Sequence, residues 1–218
     1  MFLPGNLIPV ALLFVVMLAV ALIVYAWQRS TPGSVYFMVI NISAGAWAFF
    51  YLLELNSLYL PAKVTWFGLK YFAVVCLVTA LFAFTAFYTE LRPQVNRKWW
   101  GLLLIFPAIA AVVLATNPLH GWFITDPRLV LHAPFVLLDY LPNTFFWVLA
   151  GFSLLLSLAA MLLLIRQDRQ VIHYYRRQIR LLLAGISLPW LASLASLLGW
   201  SPFAGIDIAP ITFTFTLP

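Results

Sequence analysis

Apolar residues fill this chain in long runs broken by short segments that carry Arg, Lys, Pro or Gly. The hydrocarbon core of a bilayer is crossed by roughly 20 apolar residues of helix. Six runs reach that length, at about 7–27, 35–56, 65–89, 100–116, 144–165 and 181–199. A seventh begins at Asp207, but its 12 residues to Pro218 rise only roughly 18 Å as a helix, against a core of about 30 Å. The pattern predicts an all-α membrane protein: a seven-transmembrane-helix bundle whose seventh helix is cut short. The alternative for that last segment is a short re-entrant tail.

Composition agrees. Hydrophobic residues make up 65% of the 218 and charged residues 8%, with a mean hydropathy of +1.02, which excludes a soluble domain of this size.

Charge sets the orientation. Of the twelve Lys and Arg residues, nine fall on one side of the predicted spans: Arg29, Arg92, Arg97, Lys98, Arg166, Arg169, Arg176, Arg177 and Arg180. Lys63 and Arg128 fall on the other, and Lys70 lies within the third span. The positive-inside rule makes the nine-residue side cytoplasmic, so the N-terminus is outside and a completed seventh helix exits into the cytoplasm. The first span has no basic residue before it and is too long for a signal-peptide core, so it is expected to stay as a helix. The net charge of +6 then reflects topology and contact with anionic headgroups, not nucleic acid. The single cysteine, Cys76, is mid-span and has no intrachain partner.

Most features within the spans read as architecture. Trp27, Trp99, Trp100 and Trp200 lie at span ends as interface anchors. The pairs Ala44/Ala48, Ser153/Ser157 and Ala192/Ser196, each four apart, put small residues on one helix face and let a neighbouring helix approach. Pro107 and Pro189 each remove a backbone hydrogen bond inside a span and are expected to kink it.

Charge in the membrane calls for more. Glu54 and Lys70 both lie towards the outer leaflet. An ion pair or a snorkelling Lys70 satisfies them without a ligand; the functional reading is the polar floor of an outward-facing pocket. Asn41, deeper in the second span, either belongs to that pocket or hydrogen-bonds to a neighbouring helix. The external segment 117–143, about 27 residues, exceeds an ordinary loop and is expected to form a lid or interfacial structure over the bundle. Its His120, His132, Asp126 and Asp139 match no zinc spacing, so no metal is assigned. His120, following Thr116-Asn117-Pro118-Leu119, suits a role in capping or bridging the end of the fourth helix. The cytoplasmic Arg166–Arg180 loop suits headgroup contact, with coupling to a cytoplasmic partner as the alternative. The chain has no H-E-x-x-H, G-x-S-x-G, Walker loop or C-x-x-C, so no catalytic residue and no cofactor is expected of it.

Certain residues, taken in order, carry a resemblance. They are Trp47-Ala48-Phe49-Phe50-Tyr51, Phe84 with Phe87-Tyr88, Thr116-Asn117 with His120, Phe146-Trp147, Tyr175-Arg176-Arg177-Gln178, Pro189 and Asp207-Ile208-Ala209-Pro210. Over nearly its whole length the chain resembles the N-terminal seven-helix sensory region of bacterial and archaeal histidine kinases. The resemblance implies an input module in a prokaryotic plasma (inner) membrane. It also implies a cytoplasmic output such as a PAS domain, a kinase core or a diguanylate cyclase, and a homodimer. The sequence departs from the pattern by ending inside helix seven, so residues 1–218 are read as the input domain with its output absent. The mechanism expected is a shift in helix packing, driven by an external small molecule or the bilayer and transmitted by helix seven. Its input residues are Asn41, Glu54, Lys70, Asn117, His120 and Asp207.

Three rival classes are weaker. A transporter or permease lacks an internal repeat and matched Gly/Pro-broken spans. A retinal-type sensor lacks a lysine between Asp207 and Pro218. A membrane enzyme lacks its chemistry. An accessory membrane subunit becomes the reading if the chain stops at Pro218.

Overall fold

The structure, a computed structural model, describes residues 7–29, 33–89, 97–132, 135–170 and 173–198, with Ala209 and Thr212 beyond them. Its six long helices are α1 (Leu7–Gln28), α2 (Ser34–Asn56), α3 (Leu60–Tyr88), α4 (Arg97–His120), α5 (Thr144–Gln170) and α6 (His173–Leu197). All six are long and apolar enough to cross a membrane. The expected seventh span, with Asp207, and Arg92 and Trp200 lie outside the described residues, as do the side chains of Trp99, Trp100, His132 and His173.

The helices outrun the apolar spans read from the sequence. Helix α3 begins at Leu60 instead of near 65, with Pro61 in its first turn, where a missing N–H needs no partner. Helix α4 continues through Pro118 to His120. Helices α5 and α6 extend into Arg- and Gln-containing turns, because a helix need not stop where the hydrocarbon does. Pro107 and Pro189 lie inside α4 and α6, as expected.

Between α4 and α5 the external segment folds into an antiparallel hairpin, β1 (Ile124–His132) and β2 (Phe135–Pro142), an element the sequence reading did not foresee. Its register runs from Ile124 opposite Pro142 to His132 opposite Phe135. The pairing gives the facing backbone groups of the two strands a partner within the connection of residues 121–143. The register is irregular between Thr125 and Arg128, where Asp126 takes a left-handed φ of 51° and absorbs the extra residue of a bulge.

Three apolar clusters hold the molecule together. One joins α2, α3, α5 and α6 around Trp47, Leu77, Leu164 and Ile179, and includes Ala209 from the chain beyond α6. A second ties α3, α4 and α5 to the hairpin through Phe67, Phe123 and Phe146. In the third, Leu12 and Val15 of α1 meet Ala48 and Tyr51 of α2, with Phe135 and Leu137 of the hairpin packed against them. Phe14, Met17, Val20 and Leu162 are exposed, as suits side chains that face lipid. Trp27 is exposed at the end of α1, the position of an interface anchor.

The small residues divide into two uses. Gly45 lets α1 and α2 touch: a Cβ there would stand 3.0 Å from the Ala19 Cβ. Ala44 and Ala48, on one face of α2, pack into two different clusters. Ser153 and Ser157, expected at a helix contact, stand in the wall of a partly open cavity, and Ser196 does the same on α6 while Ala192 packs in the first cluster.

Candidate functional site

The cavity lies between α2, α3, α5 and α6, under strand β2, and its volume is about 690 Å³. Helical spacing builds its walls. Trp47, Tyr51 and Glu54 stand at i, i+4 and i+7 on α2 and share one face; Lys70, Val74, Leu77 and Leu81 repeat that pattern on α3. Helix α5 supplies Phe146, Ala150, Ser153 and Ser157, helix α6 supplies Ile186, Pro189, Trp190 and Ser193, and β2 adds Leu138, Asp139 and Tyr140.

One charged group of the cavity is closed on itself. Lys70 Nζ lies 2.7 Å from Glu54 Oε2, and both residues are buried. The ammonium also sits over the rings of Tyr51 and Phe67, each at 4.6 Å, and of Tyr71 at 5.4 Å. An aromatic cage of this kind replaces part of the hydration a buried cation has lost. The expected pairing of Glu54 and Lys70 is therefore present, and the pair lines the cavity as well.

Lys63, read from the sequence only as a charge in an external loop, is 0% exposed and donates from Nζ to the main-chain oxygen of Glu54. It reaches there because just three residues separate α2 from α3, which sets the first turn of α3 beside the last turn of α2. At this helix C-terminus the Glu54 oxygen, which also accepts from the Ser57 N–H at 3.3 Å, has room for a cation and lies at the negative end of the helix dipole. Glu54 thus holds two lysines, one by its carboxylate and one by its backbone.

The other expected site residues lie elsewhere. Asn41 is fully buried and donates to the Phe37 oxygen of its own helix at 2.8 Å; among the described residues it bonds to no neighbouring helix, and it is not in the cavity wall. Asn117 and His120 organise the turn from α4 into the hairpin. Asn117 Oδ1 accepts from the N–H groups of Phe123 at 2.8 Å and Ile124 at 3.3 Å, while its Nδ2 donates to the Ile124 oxygen at 3.2 Å. His120 Nδ1 accepts from the Trp122 N–H at 3.0 Å, so the ring proton sits on Nε2, 3.0 Å from Thr116 Oγ1. The bridging role expected of His120 at the helix end is what these bonds describe. Gly121 follows with φ +63°, the left-handed conformation that commonly ends a helix. Asp207 lies outside the described residues.

Of the six expected residues, then, the structure brings Glu54 and Lys70 together in the cavity and sets Asn41, Asn117 and His120 apart from it. It adds Trp47, the aromatic cage and the serines. Trp47 and Tyr51 share a stripe with Glu54, a spacing readable in the sequence; the serines carry no such signal. Among the described residues no three His, Cys, Asp or Glu side chains come together to hold a metal ion.

Apolar helices of membrane-crossing length, with a partly open cavity between them and a buried ion pair in its wall, define a multi-pass helical membrane protein. Residues 11–218 match the family model of the N-terminal 7TM region of histidine kinase, and the chain belongs to that family. The region is a sensory one, and is not itself the catalytic part of such a kinase. No curated protein matches the chain.

Proposed function

We propose that this chain is the membrane-embedded input of a signalling protein of a prokaryotic inner membrane, and that the cavity between α2, α3, α5 and α6 is where its stimulus acts. The observation that carries this reading is the cavity itself. A space of about 690 Å³ falls within the range of about 300–1,000 Å³ typical of small-molecule sites, and four membrane helices share its wall. An occupant that fits one helix arrangement better than another shifts the balance between them. Ala209, just past α6, is buried in the cluster that forms the lower cavity wall, so the chain leading onward is coupled to the same helices. The output is a cytoplasmic domain such as a histidine kinase core, a reading that the family match supports, and the parent works as a homodimer.

Filling the cavity tests the reading. In the full-length protein, Ala150→Phe and Ser157→Phe are expected to hold the phosphorylation level several-fold above or below that of the wild type. Leu162→Phe, on the exposed face of α5, leaves it unchanged. Wild-type phosphorylation in both cavity variants, at normal membrane abundance, sinks the proposal.

A further inference from the structure

Helix α6 has two faces. Ile179 and Ile186 are buried in the first cluster, while Arg177, Leu181, Ala184, Leu188 and Leu191 are exposed. Those five recur in steps of four and three, so they form one stripe along the helix. At its Arg end the stripe meets a hollow of about 310 Å³ lined by Arg176, Arg177, Arg180 and Leu181. Positive charge there is in excess: from Arg166 to Arg180 the chain carries five arginines and one acidic residue, Asp168. Asp168 stands 3.7 Å from Arg180, and Arg177 has no acidic partner among the described residues. The first turn of α6 has no acidic side chain either, and it adds the positive end of the helix dipole.

Depth in the membrane selects the anion. The membrane-crossing stretch of α6 begins at Arg176, so the guanidinium groups stand at the level of the headgroups and Leu181 enters the hydrocarbon. From Leu181 to Leu191 a helix rises about 15 Å, the depth of one leaflet in a core of about 30 Å. The stripe therefore has the dimensions of one lipid standing on end. Guanidinium forks bind phosphate bidentately, and a zwitterionic headgroup would bring its own cation into a hollow that already holds an excess of positive charge. A second copy of the chain, packed on this stripe about a two-fold axis along the membrane normal, would set its arginines against these. We propose that this face of α6 binds one anionic phospholipid of the cytoplasmic leaflet, its phosphate held by Arg176, Arg177 and Arg180 and an acyl chain laid along Leu181, Leu188 and Leu191. The site is independent of the cavity reading, because it lies on the other face of a helix whose Ile186 and Trp190 wall the cavity. Its occupant bears on that helix from the lipid side.

The test is photocrosslinking of the full-length protein in phosphatidylcholine nanodiscs, with a phosphatidylglycerol probe that carries a diazirine midway along one acyl chain. Peptide mass spectrometry locates the label. It is expected between Ala184 and Leu191, several-fold above that on Val20 and Val24, which are exposed on the inner half of α1. A phosphatidylcholine probe of the same design labels the two helices alike. Arg177→Gln/Arg180→Gln cuts the α6 label about tenfold, through the loss of charge-assisted hydrogen bonds, whereas Arg29→Gln at the end of α1 leaves it unchanged. Even labelling of α1 and α6 by the phosphatidylglycerol probe overturns the site, and so does full label in the double variant. Displacement of the probe by inorganic phosphate makes the ligand a soluble anion and overturns the lipid assignment. An unlabelled α6 overturns it as well, with a second copy as the occupant if Leu188→Cys in a Cys76→Ser background then forms a disulfide between chains. The comparisons of probes and of helices use the wild type, so they stand whether or not the double variant folds.

Discussion

Glu54, Lys63 and Lys70 place two ammonium groups and one carboxylate in the interior of the bundle. A buried pair contributes little net stability, since desolvation offsets attraction, but removing one partner strands the other at a cost of about 3–5 kcal/mol. Lys70→Met is therefore expected to lower the thermal unfolding midpoint in detergent markedly, and Glu54→Leu more so, because the latter leaves two buried cations. The double variant Glu54→Leu/Lys70→Met recovers much of the loss of Glu54→Leu; additive losses show that the pair is uncoupled. Asn117 makes a second prediction at this scale. Its amide satisfies two N–H groups and one carbonyl of the hairpin start, so Asn117→Ala costs about 2–4 kcal/mol locally. Hydrogen exchange at the Phe123 and Ile124 amides reads it, and unchanged protection there counts against the assigned bonds.

At the level of elements, α1 and α2 meet where Gly45 faces Ala19, and no larger side chain fits without displacing a helix. Gly45→Leu is expected to destabilise by about 1–3 kcal/mol through overpacking. Gly68 on α3 is the control, since a Cβ there meets nothing within 4 Å. Gly68→Ala adds helix propensity, stabilising by about 0.5–1 kcal/mol, and thermal unfolding of the two variants should move in opposite directions. The helices themselves were legible in the sequence because a lipid-crossing helix advertises itself by length and apolarity. The hairpin was not. Its strands mix Leu with Pro127, Asp126 and Asp139, and no Asn-Gly or Asp-Gly turn marks the connection, so the segment read as a lid or interfacial structure with no strands assigned.

For the molecule as a whole, orientation rests on the nine basic residues of one side. It puts the hairpin outside and the Arg-rich start of α6 inside. In a Cys76→Ser background, a membrane-impermeant maleimide should label Leu131→Cys, which is 76% exposed on β1, in intact cells. Arg177→Cys should label only after lysis. The reverse pattern inverts the topology and puts the hairpin in the cytoplasm.

The number of spans, their approximate limits and the expected orientation follow from the sequence alone, because the cost of burying charge and unpaired backbone in hydrocarbon acts on each segment independently. The pairing of Glu54 with Lys70 was within reach for the same reason: two charges in one leaflet have few alternatives. Tertiary structure decided what depends on which faces meet. It took Lys63 out of its loop and into the core, returned Asn41 to its own helix, and turned Asn117 and His120 into the frame of a hairpin. It also buried the Trp47 N–H with no acceptor among the described residues, a result of how the helices pack that no single run of residues contains.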